Sequence, residues 1–227
     1  MKILALDTAL GACSVAIVED GRVLAHRTRL GARGQAEALM PMVEAVRADA
    51  GLAFAALDRL AVTVGPGSFT GLRIGLAAAR GLALATGLPL VGVTTLRAIE
   101  RAARADRNDP RPLVVALDAR RGEIYLQSFD ANGRPLGDAL AIAPRRAAAL
   151  LPDGQVLAAG SGAALLAAAH GALAITCLDG ILEPDARWVA RYAASLPPPR
   201  TGEVPAPLYL RAPDAKLPAA PAPGSRR

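Results

Sequence analysis

The stretch Val64-Gly65-Pro66-Gly67-Ser68-Phe69-Thr70-Gly71-Leu72-Arg73-Ile74-Gly75 constrains this chain more than any other. An apolar run, Leu60 to Val64, reads as a buried strand. Gly65-Pro66-Gly67 then turns the chain into an Ala/Leu-rich helix reaching Thr86. Ser68 suits the N-cap, because its hydroxyl can accept from the unpaired amides of the first turn. Gly67, Gly71 and Gly75 recur every four residues, and Ala78, Ala79 and Leu82 continue the stripe, so they share one helical face. A glycine inside a helix costs ~1 kcal/mol against alanine. Gly71 and Gly75 therefore imply a close approach, by a neighbouring helix or by a bound phosphate.

Composition narrows the fold class. With 227 residues, two lobes of ordinary domain size fit. Apolar residues make up 52% and aromatics 3%, so the core must be Ala, Leu and Val. The net charge is +6, and all but two of the 26 basic residues are arginine. Half of that excess falls after residue 199, and no basic patch alternates with stacking aromatics, which speaks against a dedicated nucleic-acid surface. Cys13 and Cys177 are far apart, and no secretory leader is recognisable, so the expected location is a reducing cytoplasm. Val156 to Leu178 lacks Asp, Glu, Lys and Arg but is rich in Ala and Gly. It reads as a helix flanked by strands rather than a membrane span.

Taken in order, Lys2–Leu6, Cys13–Val18 and Arg22–Arg29 form three strands, with Asp20-Gly21 as a hairpin turn. Gly34 to Ala50 has an apolar stripe of Leu39, Met42 or Val43, Val46 and Ala50 at helical spacing, with Pro41 inside it and a kink expected there. Leu88–Val93 is a further strand, and Thr94 or Thr95 caps a helix toward Arg104. Then the chain repeats itself. Ala116-Leu117-Asp118 copies Ala5-Leu6-Asp7, and Asn132-Gly133-Arg134-Pro135-Leu136 matches Asp20-Gly21-Arg22-Val23-Leu24 with a one-residue slip. The expected organisation is a lobe at 1–105, a second at 106–211 and a disordered Pro-rich tail at 212–227. Two lobes that each open on a meander whose first strand ends in aspartate describe an α/β, actin/hexokinase/Hsp70-like fold. In that fold the two hairpins grip nucleotide phosphates across a cleft, an analogy of fold only.

The chemistry is sparse. The glycine loop lacks the Lys-Ser/Thr ending of a Walker loop and the spacing of a dinucleotide fingerprint. Asp7 and Asp118 occupy the places where a phosphotransferase of this fold would hold magnesium, yet both can equally satisfy turn amides. In Asp118-Ala119-Arg120-Arg121-Gly122-Glu123, Arg120 or Arg121 can simply pair with Asp118 or Glu123. His26 and His170 have no neighbouring Cys or second His, which argues against a metal cluster or a nucleophile–base pair.

Five segments in order carry a family resemblance: Ile3-Leu4-Ala5-Leu6-Asp7-Thr8, Cys13-Ser14-Val15-Ala16, the glycine stretch, Asp118-Ala119-Arg120-Arg121-Gly122-Glu123-Ile124-Tyr125, and Tyr209-Leu210-Arg211. They resemble the TsaB family, the B subunits of the bacterial tRNA threonylcarbamoyladenosine complex, sometimes described as glycoprotease homologues. The resemblance implies a non-catalytic subunit without cofactor or metal. It implies a heterodimer with the catalytic D subunit (TsaD), which modifies the adenosine beside the anticodon, an ATPase subunit (TsaE) joining them, and TsaC making the activated intermediate. It implies contact with tRNA through the complex, and a homodimer when the chain is alone is open. The D subunit's His-x-x-x-His metal helix corresponds here to Gln35 and Leu39, which cannot bind a metal. The implied partner interface lies on the two N-terminal helices, at Leu39, Met42, Val43, Val46, Phe69, Gly71, Leu72, Gly75 and Ala79. On that basis a bulky residue at Gly75 is expected to abolish co-purification with the D subunit and leave the fold intact. The rival expectations are an active ATP-dependent kinase or ATPase of the same fold, and a peptidase.

Overall fold

In the first half of the chain, β1 (Lys2–Asp7), β2 (Ala12–Glu19) and β3 (Arg22–Leu30) form an antiparallel meander. Asp20 and Gly21 make its second turn with φ of 48° and 83°, the left-handed pair that a tight hairpin needs. After α1 (Gln35–Asp49), β4 (Arg59–Gly65) enters beside β1 in parallel. Next come α2 (Phe69–Thr86) and the parallel strand β5 (Leu90–Thr94), giving the order β3-β2-β1-β4-β5. Pro41 sits inside a continuous α1 with its side chain exposed. The Thr94 hydroxyl accepts from the Arg97 amide and opens α3 (Thr95–Arg104).

The second half repeats this plan with β6 (Leu113–Asp118), β7 (Ile124–Phe129), β8 (Leu140–Ile142), α4 (Pro144–Ala147), β9 (Val156–Ala159), α5 (Ala163–His170), β10 (Ile175–Cys177) and α6 (Ala186–Ala193). Its strand order, β8-β7-β6-β9-β10, is that of the first sheet. The paired Ala-Leu-Asp words close equivalent central strands, and the architecture is the two-lobed actin/hexokinase/Hsp70-like one. The computed structural model describes residues 1–105, 107–171, 175–200 and 202–211. The disorder expected at 212–227 lies outside them. No helix among the described residues is long and apolar enough to cross a membrane.

Each sheet is buried on both faces, as its continuous apolar strands require. Leu4, Leu6, Val15, Ile17, Leu60 and Val62 pack under α1 and α2, while Ile3, Ala5, Ala16, Ala61, Val91 and Val93 face α6. In the second sheet, Leu113, Val115, Leu117 and Leu157 pack on Leu96, Ile99 and Ala103 of α3; Val114, Ala116 and Ala158 pack on α4 and α5. The third helix of each half thus lays its apolar face on the other half's sheet. This exchange binds the lobes together and cuts across the sequence-order division at 105/106. Two arginines fasten it. Arg59, on β4, donates to the carbonyls of Ala193 and Leu196 at 2.6 and 2.8 Å, satisfying acceptors that α6 leaves open at its C-terminus. Arg97, on α3, pairs with buried Glu100, donates to Gly133 and lies over the rings of Phe129 and Tyr192 at 4.6 and 5.1 Å.

The glycine stripe of α2 receives the chain's own β1–β2 turn. A Cβ at Gly67 would stand 2.3 Å from the Ala9 carbonyl oxygen, at Gly71 2.1 Å from that of Thr8, and at Gly75 2.6 Å from the Thr8 hydroxyl. Hydrogen bonds fix the fit: Thr8 Oγ1 donates to the Gly71 carbonyl at 2.7 Å, and the Ser68 amide to the Ala9 carbonyl at 2.7 Å. Ser68 is the N-cap, accepting from the Gly71 amide.

This geometry places the residues of the interface expectation. Leu39, Val43, Val46, Leu72 and Ala79 are at most 1% exposed, and Gly71 and Gly75 are buried too. An apolar stripe at helical spacing is first of all the face a helix turns to its own core, and these residues have no surface to lend. Met42 is partly buried, and Phe69 is exposed. The expectation for Gly75 reverses accordingly. Leucine at Gly71 or Gly75 lowers unfolding stability by about 3 kcal/mol or more, because it must displace backbone or the Thr8 hydroxyl. Gly81, on the same helix, has nothing within 4 Å of a built Cβ. Alanine there raises stability by ~1 kcal/mol. Urea unfolding of the three variants checks the contrast.

Candidate functional site: the inter-lobe cleft and the outer helix face

The turns of the two hairpins meet at a cleft of about 390 Å³, lined among others by Leu10, Gly11, Ser68, Asp118, Arg120 and Glu183. Several polar groups in and behind it are bonded within the chain. Asp7 is fully buried, and its Oδ1 accepts from the Thr63 hydroxyl at 2.6 Å and the Ala9 amide at 3.1 Å. Burial without a cation pushes its carboxyl up to about 7, against the pull of those two bonds; Glu183 and Asp185 add to the rise. Asp118 accepts the Arg120 amide at 2.7 Å and the Arg120 guanidinium at 3.2 Å. Its own amide is held by the Ser161 hydroxyl. Both aspartates accept a turn amide, while the second Asp7 oxygen, Oδ2, is buried with no hydrogen-bond partner.

Gln35, at the first position of the family's metal-binding spacing, spends its amide on the carbonyls of Leu10 and Ala12 at 3.0 and 2.9 Å. Leu39, at the second, is core. Among the described residues no group of three His, Cys, Asp or Glu is placed to hold a metal. His26 lies 3.3 Å from Asp185 and 2.9 Å from the Thr28 hydroxyl. Burial would raise the Asp185 carboxyl, but His26 and the Arg187 side chain and amide outweigh it and hold it well below the usual carboxylate range. Asp185 also caps α6. Cys13 is buried, which pushes its thiol up to about 11 and leaves it inert as a nucleophile.

Glu183 was invisible to sequence reasoning as a cleft residue. It lies on the 178–185 connection, and its carboxylate accepts from the Gly11 amide at 2.9 Å, across 172 residues of chain. Sequence spacing holds no signal for such a contact. The Tyr209-Leu210-Arg211 segment also gains a physical role. Leu208 donates to the Val64 carbonyl at 2.7 Å, Arg80 holds the Pro205 carbonyl, and Arg211 pairs with Glu123 of the second hairpin. Tyr209 lies 5.7 Å from the Phe69 ring, over which the Arg73 guanidinium sits at 3.6 Å. The segment laces both lobes shut beside the glycine turn.

The outer side of α2 is the complement of its buried stripe. Arg73, Ala77, Arg80, Gly81 and Leu84 follow one another at helical spacing and face solvent, with Leu84 89% exposed. On α1, Met40 is exposed as well. Gly81 is the informative member. It carries the cost of a mid-helix glycine, and none of the described residues crowds it.

Asp7 has a consequence for stability. Its carboxyl is raised from 3.8 to about 7 in the native state, so the folded chain holds a proton that the unfolded chain has released. The contribution is therefore fully present below about pH 4 and is lost as pH rises through about 7. At most about 4 kcal/mol is involved. Asp7→Asn removes this part of the slope, leaving the variant close to wild type at pH 4 and more stable than it at pH 8, as read by urea unfolding at both pH values.

The residues 28–175 match the family model described as tRNA N6-adenosine threonylcarbamoyltransferase (TsaD). The Escherichia coli tRNA threonylcarbamoyladenosine biosynthesis protein TsaB is 43% identical over 135 residues, covering 59% of this chain and 58% of that protein, so this alignment spans little over half the relative's length. A Mycobacterium bovis protein, Mb3455c, is 39% identical over 218 residues, covering 94% of this chain and 93% of its own length. The solved structure of YeaZ from Pseudomonas aeruginosa, YeaZ being another name for TsaB, superposes with a TM-score of 0.77 at 30% identity, covering 92% of this chain and 99% of that one. The chain belongs to the TsaB (YeaZ) family.

Proposed function

We propose that this chain is a non-catalytic subunit in tRNA threonylcarbamoyladenosine biosynthesis, and that it works by holding a TsaD-type catalytic subunit. The observation that carries the reading is the internal use of the cleft. Asp118 and Glu183, which line the cleft, are bonded to the chain's own turns, and Asp7 and Gln35 are buried and bonded elsewhere in the chain. A catalytic aspartate must reach a metal or a reacting atom. Asp7 is fully buried and Asp118 is paired with Arg120.

The partner face we propose is the side of these helices that the chain's own core leaves exposed. It is the outer side of α1 and α2, with Met40, Ala77, Gly81 and Leu84 as its apolar part and Arg73 and Arg80 at its border. A smooth strip around Gly81 lets a partner helix lie close, and an 89% exposed leucine is the kind of anchor such contacts bury. The same strip serves a second copy of the chain when the partner is absent. An ATPase subunit of the TsaE type and the tRNA join through the complex, which works in the cytoplasm.

Arginine at Gly81 or Leu84 points into solvent and does not lower the thermal midpoint by more than about 2 °C. It weakens capture of TsaD at least about tenfold, some 1.4 kcal/mol, and lowers tRNA modification by the reconstituted complex in step. Asp118→Ala leaves the modification rate within about twofold. Calorimetry of the isolated chain with Mg-ATP gives no heat of binding in the micromolar range, whereas tight binding or turnover would favour the kinase reading.

A further inference from the structure

The chain has one Trp, three Tyr and three Phe. Of these aromatic residues only Phe69 and Tyr209 are exposed, at 52% and 42%. They lie against each other, with ring centroids 5.7 Å apart at an interplanar angle of 30°. Arg73, one turn along α2 and exposed like the rings, joins them. Its guanidinium sits 3.6 Å over the Phe69 ring, its Nε donates to the Tyr209 hydroxyl at 3.4 Å, and among the described residues no carboxylate pairs with it. Arg73 and Tyr209 are 136 residues apart in sequence. That separation is why no alternation of basic and aromatic residues is visible along the chain. The cluster stands on fixed backbone. Phe69 is the first residue of α2, directly after the Ser68 cap, whose amide is held by the Ala9 carbonyl at 2.7 Å. Tyr209 follows the Leu208 amide that donates to Val64, and two residues on Arg211 pairs with Glu123. Arg211 also reaches the Arg120 carbonyl at 3.4 Å, which brings the tip of the second hairpin alongside. Arg120 and Arg121 at this tip hold φ of 62° and 55°, so the tip retains arginine where glycine would be less strained.

We propose that Phe69, Tyr209 and Arg73 form a stacking site for unpaired bases of RNA, with the basic tip of the second hairpin beside it for the phosphates. The inference rests on the proposed role in tRNA modification and deepens it, because it gives this chain a direct contact with the RNA. Aromatic rings and guanidinium planes stack on any base, and proteins bind unpaired RNA in this way. The bases of a duplex stack on one another and offer no such face along the helix. Rings and a guanidinium that already hold one another lose little freedom when a base joins them. An apolar protein segment fits the place less well, because the residues flanking the Phe69 ring, Ser68, Thr70 and Arg73, are polar and exposed.

The probe is a fluorescein-labelled RNA hairpin with an unpaired loop, and its control is the same stem as a blunt duplex. Each is titrated with the full chain at one fixed low salt concentration and read by anisotropy. The hairpin binds saturably and more tightly than the duplex. Phe69→Leu, which keeps an apolar side chain and removes the ring, weakens hairpin binding at least about fivefold and leaves duplex binding unchanged. Phe69→Tyr keeps the ring and holds hairpin affinity within about twofold of wild type. Arg73→Lys keeps the charge, loses the plane and weakens hairpin binding at least about twofold; it decides the matter if Phe69→Leu does not fold. Capture of TsaD, read on the same variants, stays at the wild-type level. Absence of saturable hairpin binding, equal affinity for hairpin and duplex, or hairpin binding indifferent to Phe69→Leu overturns the proposal. Loss of TsaD capture by that variant overturns it too, because it marks a contact with protein. Leu84→Arg separates this result from the partner face: it lowers capture and leaves hairpin binding by the chain alone intact, so either reading can fail without the other.

Discussion

The fit of the β1–β2 turn into α2 is the constraint on which the rest of the molecule depends. Thr8 and Ala9 press main-chain carbonyls and a hydroxyl into positions that no side chain could share, and Gly67, Gly71 and Gly75 are the reason they can. With the turn seated there, Asp7 is driven fully inside, Leu10 reaches the second lobe's apolar cluster, and Gly11 presents its amide to the cleft. Two helix-destabilising residues, Gly71 and Gly75, are tolerated because each permits a contact between elements about sixty residues apart. Intrinsic propensity yields to tertiary packing, as it commonly does.

The same turn shows how a nucleotide-binding architecture can be retained without open nucleotide chemistry. Most polar groups around the cleft already have a partner from the chain: Thr63 and Ala9 for Asp7 Oδ1, Arg120 for Asp118, the Gly11 amide for Glu183; Asp7 Oδ2 alone of these is buried without one. Buried polar groups left without partners cost about 1–3 kcal/mol each. A fold that no longer relies on a ligand gains by satisfying them internally. The segment ending at Arg211 and the exchanged helices α3 and α6 act in the same direction, holding the lobes together by covalent continuity and packing.

Much of this was legible in the sequence, and the failures have physical causes. The meander, the Ser68 cap, the duplication marked by Ala-Leu-Asp and the pairing of Arg120 with Asp118 all rest on local rules, and the structure bears them out. The demand of Gly71 and Gly75 for a close neighbour was also correct. Its identity was not legible, because the parallel pairing of β1 with β4 brings Thr8 to α2 from far along the chain. Leu39, Val43 and Val46 were read as a partner surface because periodicity shows that a helix has an apolar face but not what covers it. The strand β8 was missed. It has three residues, all half-buried, and no alternation to announce it. That α6 would cross to the first sheet was equally hidden, since Val189, Ala190 and Ala193 would suit either one.

Gly81 turns this failure into a rule of some use. Once a helix's buried stripe is explained by its own sheet, what it spends elsewhere becomes the signal for a partner. Gly71 and Gly75 are accounted for inside the chain, atom by atom. Gly81 is not, and Leu84 one turn on is exposed where a charged residue would serve solubility better. A residue that costs its own fold stability and offers nothing in return within that fold is best explained by a contact made outside it. The argument needs both halves: the sequence supplies the anomalous glycine, and only the structure shows that no neighbour among the described residues requires it.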